Sequence, residues 1–157
     1  MSEFADIGDV LPDVAMETPD GGSVKPSDFK GQKLVMFFYP KDNTPGCTTE
    51  AKEFSELKSE FEKAGAAILG VSKDTPKKHQ NFIAKHGLTV DLATDAEQDG
   101  LSDRLGVWTE KKMYGRTFMG MVRTTYLVGA DGKIARLWRK VKVKGHVDEV
   151  LEAARAL

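Results

Sequence analysis

Cys47 is the only cysteine in the chain, and its neighbours decide what its sulfur can do. Thr44 stands three residues earlier, so a hydroxyl lies one helical turn away that can donate to one oxygen while accepting from another. Pro45 and Gly46 form a turn directly ahead of the cysteine. Pro40 opens the same polar loop, where it stiffens the chain and can shield a thiolate from water. The sulfur falls at the start of a helix. Free backbone N–H groups and the positive end of the helix dipole favour a thiolate in such a place, and can bring a cysteine below its ordinary pKa of about 8.5. A lone cysteine excludes an intramolecular disulfide, a Cys-rich zinc site and a CxxC redox pair. A structural thiol, a free nucleophile and an intermolecular bridge remain. The strand–turn–helix setting favours the nucleophile, because open α/β sheets bind ligands at the carboxyl ends of their strands.

The elements that must position this group are readable as patterns. Leu34-Val35-Met36-Phe37-Phe38-Tyr39 is a continuous apolar run stopped by Pro40, short enough for a strand buried on both faces. From Cys47 an inward stripe of Cys47, Glu50/Ala51, Phe54, Leu57, Phe61 and Ala64 repeats at three and four, with Gly65 as a stop. Ala66 to Val71 is the next buried strand. Asp74-Thr75-Pro76 opens a helix that ends near Gly87. Val90 to Ala93 is a short strand and Ala96 to Leu105 a short helix, while 107–121 shows no regular pattern. Val122 to Val128 and Lys133 to Lys140 flank the turn Gly129-Ala130-Asp131-Gly132 as a hairpin. His146 to Leu157 closes the chain as a helix. The first 32 residues, rich in Asp, Pro and Gly, suggest short strands and turns. The expectation is one α/β domain over 1–157, with a mixed central sheet flanked by helices.

Composition removes other function classes. The 157 residues carry a formal net charge of −1, which gives no overall pull toward nucleic acid or an anionic membrane. The basic group Arg136, Arg139, Lys140, Lys142 and Lys144 reads as a solvated strand-and-turn face. An acidic start, Met1-Ser2-Glu3-Phe4-Ala5-Asp6, does not resemble a secretory leader. No apolar run approaches the ~20 residues that span a bilayer, so the expected location is cytoplasmic, where thiols stay reduced. His79, His86 and His146 lack metal-ligand spacing and read as surface or helix-end residues. No local signature supports a papain-like site. No arginine follows Cys47 closely enough for a cysteine phosphatase loop, and 40–49 lacks the ending of a nucleotide P-loop. Met113, Met119 and Met121 with Phe118 could line an apolar rim, fill the core or form a dimer contact.

Pro40-x-x-x-Thr44-x-x-Cys47 resembles the peroxiredoxin active-site motif. The longer string from Phe38 to Glu50, together with Gly70 to Asp74, Leu92 to Asp95 and Arg123 to Val128, is similar to the bacterioferritin-comigratory, or peroxiredoxin Q, branch. This resemblance implies a thioredoxin-like fold with Cys47 as the peroxidatic cysteine. It also implies that Thr44 binds the peroxide, Pro40 shields the site and Arg123 reaches thiolate and peroxide from a neighbouring strand, with backbone donors near Gly46. A permanently charged guanidinium suits that role, since it favours thiolate and offers several donors in a fixed fork. No metal or haem is expected.

The chain departs from many relatives of this branch where they carry a resolving cysteine. Lys52 stands five residues after Cys47, and Ala84 is the counterpart on the next helix. The expected function is therefore a one-cysteine thiol peroxidase that reduces hydrogen peroxide and organic hydroperoxides through a sulfenic acid. An external thiol such as thioredoxin, or glutaredoxin with glutathione, would recycle it in a monomer or weak homodimer. A thiol transferase and a non-catalytic redox sensor on the same fold are the rival readings.

Overall fold

In the computed structural model, which describes residues 5–96 and 100–157, the apolar run from Leu34 lies at the centre of a seven-stranded sheet. The chain first lays down β1 (Met16–Glu17) and β2 (Ser23–Val24), then a 3-10 turn over Pro26–Phe29. Next comes β3 (Lys33–Phe38), buried at every position after Lys33. α1 (Pro45–Glu56) and α2 (Lys58–Lys63) follow, and β4 (Ala66–Ser72) returns parallel to β3 with Leu34 opposite Ala67 and Phe38 opposite Val71. α3 (Pro76–His86) leads to β5 (Asp91–Thr94), parallel to β4. The short α4 (Leu101–Arg104) precedes a separate two-stranded ribbon, β6 (Trp108–Met113) and β7 (Arg116–Met121). β8 (Thr124–Val128) then pairs antiparallel with β3, β9 (Ile134–Trp138) pairs with β8, and α5 (His146–Ala156) ends the chain. Strand order is β2-β1-β5-β4-β3-β8-β9, the mixed sheet expected of the sequence.

Alternation along β3 divides the core. Val35 and Phe37, with Tyr39 beyond them, face Ala51, Phe54, Phe61, Phe82, Val147 and Val150 on one side of the sheet. Leu34, Met36 and Phe38 face Leu101, Leu105, Val107, Met121 and Tyr126 on the other. Phe37 stacks on Phe54 with ring centroids 4.5 Å apart. Gly70 makes room for it, because a Cβ there would lie 2.6 Å from Phe37 Cζ.

Local chemistry sets the element ends. Thr75 caps α3 by accepting from Lys78 N–H at 3.2 Å, Pro76 occupies the first turn, and Gly87 closes the helix at φ 62°. Three expectations are corrected. The segment 107–121, expected to be irregular, forms the β6–β7 ribbon, whose loop runs through Tyr114 at φ 53° and Gly115 at φ 77°. The helix expected from Cys47 to Ala64 breaks at Leu57, where Ser55 lends its carbonyl to Thr89 Oγ1 at 3.2 Å. The helix expected over 96–105 covers only Leu101–Arg104 of the described residues. Residues 97–99, and the acidic start up to Phe4, lie outside them.

Candidate active site

The crossover from β3 to α1 carries Cys47 into the core. Its side chain belongs to the cluster of Tyr39, Ala51 and Phe54, and the residue is 1% exposed. The first backbone bond of α1 runs from Thr48 N–H to the Thr44 carbonyl at 2.8 Å, so the helix ladder does not use the N–H groups of Gly46 and Cys47. Apolar surroundings, with two N–H groups outside the helix ladder and a helix dipole at their foot, make a place where charge on sulfur can be received.

Arg123, just beyond the end of β7, completes that place. Its Nη2 donates to Cys47 Sγ at 3.2 Å and its Nη1 to Glu50 Oε1 at 2.7 Å. One planar fork thus spans the thiol and a carboxylate one helical turn further along α1. Half-burial works against the guanidinium's charge, yet Glu50 and Cys47 together hold its pKa above the ordinary arginine value. Glu50 is wholly buried, and burial pushes its carboxyl up to about 7 despite the pull of Arg123. Its second oxygen, Oε2, has no hydrogen-bond partner among the described residues. The sequence reading put Glu50 on the inward stripe and gave it no role; a carboxylate at the third position after the cysteine was the available signal.

Gly46 matters for a reason of space. A Cβ there would stand 3.3 Å from Arg123 Nη2, so the absent side chain lets the guanidinium lie against the helix start. Thr44 is half-buried at the N-cap position, but its hydroxyl does not cap the helix. It donates to the Lys41 carbonyl at 2.8 Å. Pro40 is exposed directly after Tyr39. Cys47, Gly46 and Arg123 are therefore brought into contact, and Thr44 and Pro40 stand in the loop that leads to them.

The histidines are expected at the surface or at helix ends, and His79 departs from that. His79, read as a surface residue, is fully buried, with Nδ1 2.7 Å from Asp42 Oδ2 and Nε2 donating to the Ala93 carbonyl at 3.0 Å. The reason is phase: His79 lies three residues before Phe82 on the inward face of α3. His146 starts α5, the helix-end place expected of it, and is buried there, 2.8 Å from Thr125 Oγ1, where burial lowers its pKa to about 4. His86 stays half-buried at the end of α3, 3.1 Å from Asn43 Oδ1. The basic residues Arg136, Arg139, Lys140, Lys142 and Lys144 are exposed, as expected of a solvated face.

Among the methionines, Met121 is core at 1% exposure, whereas Met113, Met119 and Phe118 are open to solvent on the ribbon. Register puts Phe118 opposite Lys111 on one face. Lys111 Nζ donates to the Met121 carbonyl at 2.5 Å. Burial and the neighbouring Arg123 lower its pKa, against the sulfur of Cys47. That face of the ribbon thus shares the thiol's electrostatic surroundings.

Residues 7–137 match the model of the AhpC/TSA family. Peroxiredoxin Bcp of Bacillus subtilis is 43% identical over 150 residues, covering 96% of this chain and 95% of its own. Peroxiredoxin Bcp of Xanthomonas campestris is 50% identical over 126 residues, covering 80% and 78%. Among solved structures, the bacterioferritin comigratory protein of Xanthomonas campestris, described for its alkyl peroxide reduction, superposes with a TM-score of 0.87 at 42% identity. It covers 94% of this chain and 98% of its own. A mutant of Xylella fastidiosa PrxQ superposes with a TM-score of 0.90 at 40% identity, covering 97% and 96%.

Proposed function

The chain belongs to the AhpC/TSA family as a one-cysteine peroxiredoxin of the Bcp type, a thiol-based peroxidase on a thioredoxin-like fold, and from that premise we propose that Cys47 is the thiol that attacks the peroxide. The observation that carries this reading is the Arg123 fork, 3.2 Å from Sγ and braced by buried Glu50.

Chemistry follows from where the donors and acceptors stand. Thr44 spends its hydroxyl hydrogen on the Lys41 carbonyl, so its oxygen is left to accept. It therefore takes the O–H of the peroxide oxygen under attack. Arg123 and the N–H groups of Gly46 and Cys47 donate to the departing oxygen. The thiolate forms the S–O bond as the O–O bond breaks. Sulfur loses two electrons, the attacked oxygen keeps its hydrogen as the sulfenic acid, and the departing oxygen takes a proton from water to leave as water or alcohol. Donors aimed at charge that develops only in the transition state lower the barrier. Lowered basicity alone does not, since nucleophilicity falls with pKa. Pro40 stiffens the outer side of this loop and limits water.

Recycling must come from another molecule, because Cys47 is the sole cysteine. Lys52 and Ala84 are exposed on α1 and α3, where a resolving thiol would otherwise stand. An incoming thiol displaces water from the sulfenic acid to form a mixed disulfide, and a second thiol releases Cys47. Thioredoxin, or glutaredoxin with glutathione, supplies those thiols in a reducing cytoplasm; among the described residues no helix is long and apolar enough to cross a membrane. The protein acts as a monomer or weak homodimer. Exposed Phe118, opposite Lys111 on the ribbon face nearest the thiol's charge, supports the use of organic hydroperoxides beside hydrogen peroxide.

Rapid mixing of the reduced protein with hydrogen peroxide and with cumene hydroperoxide, followed by mass measurement, tests the first step. A panel of thiol reductants then tests the second. A rate no greater than that of a free thiol would sink the assignment of Cys47.

A further inference from the structure

Cys47 is reached through a loop that makes few bonds of its own, and a buried polar network holds that loop from outside. Asp42 is 6% exposed, and its carboxylate is gripped on both oxygens. Tyr39 O–H donates to Oδ1 at 2.6 Å, and His79 Nδ1 stands 2.7 Å from Oδ2. The Asp42 N–H donates to Asp74 Oδ2 at 2.8 Å. His79 is itself fixed, since a carbonyl can only accept: Nε2–H therefore donates to Ala93 in β5, which leaves Nδ1 to share a proton with Asp42. Seven residues on, two turns along the same face of α3, His86 Nε2 lies 3.1 Å from Asn43 Oδ1, where the backbone is left-handed at φ 64°. Two side chains of one helix thus hold two consecutive residues of the loop. The next link is short. Lys41, the residue before Asp42, presents the carbonyl that takes the Thr44 hydroxyl hydrogen.

We propose that His79 is a positioning residue for the peroxide-reducing step, acting through Asp42 to aim the Lys41 carbonyl and with it the Thr44 hydroxyl. The proposal rests on the reading of Cys47 and Thr44 given above. His79 touches no reacting atom. It carries the position of β5 to the loop across the network, so that Thr44 presents an acceptor to the peroxide instead of rotating freely.

Two amides divide the histidine's functions. In His79→Asn the side-chain nitrogen replaces Nδ1 and still donates to Asp42, while the bond to Ala93 is lost. In His79→Gln the nitrogen replaces Nε2 and still reaches the Ala93 carbonyl, while the bond to Asp42 is lost. Two rates are measured on each variant at one pH: oxidation of Cys47 by hydrogen peroxide, which needs Thr44, and alkylation by iodoacetamide, which does not.

His79→Gln should lose about 10²-fold in the peroxide rate, the scale set by a small misplacement of a catalytic group, with alkylation changed less than about twofold. His79→Asn should keep the peroxide rate within about threefold. If circular dichroism shows that His79→Gln does not fold, Asp42→Ala provides the same break from the other side. Equal losses in both rates would mark a merely structural histidine and overturn the proposal. So would an unchanged peroxide rate in His79→Gln. A wild-type protein that shows no preference for peroxide over iodoacetamide, relative to a free thiol, would refute the reading of Cys47 instead, and this proposal with it.

Discussion

The two flanks of Cys47 are built from opposite materials. On the α3 side, His79, Asp42, Asp74, Ser72 and Thr94 are polar and buried, and each side chain is hydrogen-bonded. On the ribbon side, Met113, Phe118 and Met119 are apolar and 43–57% exposed. Tyr114 at the ribbon's turn is 96% exposed. A buried polar network is costly unless every member is satisfied, and when satisfied it fixes one geometry. Exposed apolar side chains on a two-stranded ribbon add little to stability. In the proposed reading, the first flank governs the rate of peroxide attack and the second governs which molecules approach.

The largest test lies at the junction of the flanks. Arg123→Ala removes the donor to Sγ and leaves Glu50 buried without its cation. The peroxide rate should fall by about 10²–10³, the usual loss for one transition-state donor. Arg123→Lys keeps the charge but cannot bridge both partners with one fork, so its rate should stay closer to the alanine variant than to wild type. If Arg123→Lys matches wild type, charge alone suffices and the fork is irrelevant. Thr44→Val comes next, with a loss of about 10² in the peroxide rate and alkylation by iodoacetamide unchanged. Thr44→Ser keeps the hydroxyl and should recover most of the loss.

These tests also mark what could be read without coordinates. The run Leu34–Tyr39 and the Thr75-Pro76 cap each announce a local structure through chemistry within a few residues, and both appear as expected. Pro45 and Gly46, expected as a turn ahead of the helix, instead form the first turn of α1 itself. Contact between Cys47 and Arg123, 76 positions apart, has no local signature and entered the reading only through family resemblance. The ribbon escaped because both its faces are largely exposed, so no apolar alternation betrays a strand. His79 departs from expectation for a different reason. A lack of metal-ligand spacing says nothing of burial, and it is the 79, 82, 86 spacing on α3 that puts His79 on the inward face.

The ribbon predicts a smaller effect. Phe118→Ala should leave the hydrogen peroxide rate within about twofold and lower the cumene hydroperoxide rate by about 5- to 10-fold, in keeping with a loss of about 1 kcal/mol, the low end for apolar contacts of this size. A loss shared equally by both peroxides would place the ribbon among the groups that set the rate and erase the contrast between the flanks.

The smallest net effect in the wild type comes from two buried groups within the influence of Arg123, the Glu50 carboxyl and the His146 imidazole. Glu50 Oε2 lacks a partner among the described residues, and burial, against the pull of Arg123 and with the push of Glu53, raises its carboxyl from 4.5 to about 7. The folded protein then holds more protons than the unfolded chain between about pH 4.5 and 7. Glu50 accordingly stabilises fully below 4.5, and that stability is lost as pH rises through 7. His146 runs the other way. Burial, with Arg123 and against Glu149, lowers it from 6.5 to about 4, so its contribution rises with pH from about 4 to 6.5. Each shift corresponds to about 3 kcal/mol, and the windows overlap with opposite signs. The two contributions nearly cancel in the wild type. Urea midpoints measured from pH 4 to 8 separate them. Relative to wild type, Glu50→Gln should become more stable as pH rises to about 7, while His146→Gln should become less stable as pH rises to about 6.5. Parallel profiles for wild type and both variants would show that neither group is held away from its ordinary protonation.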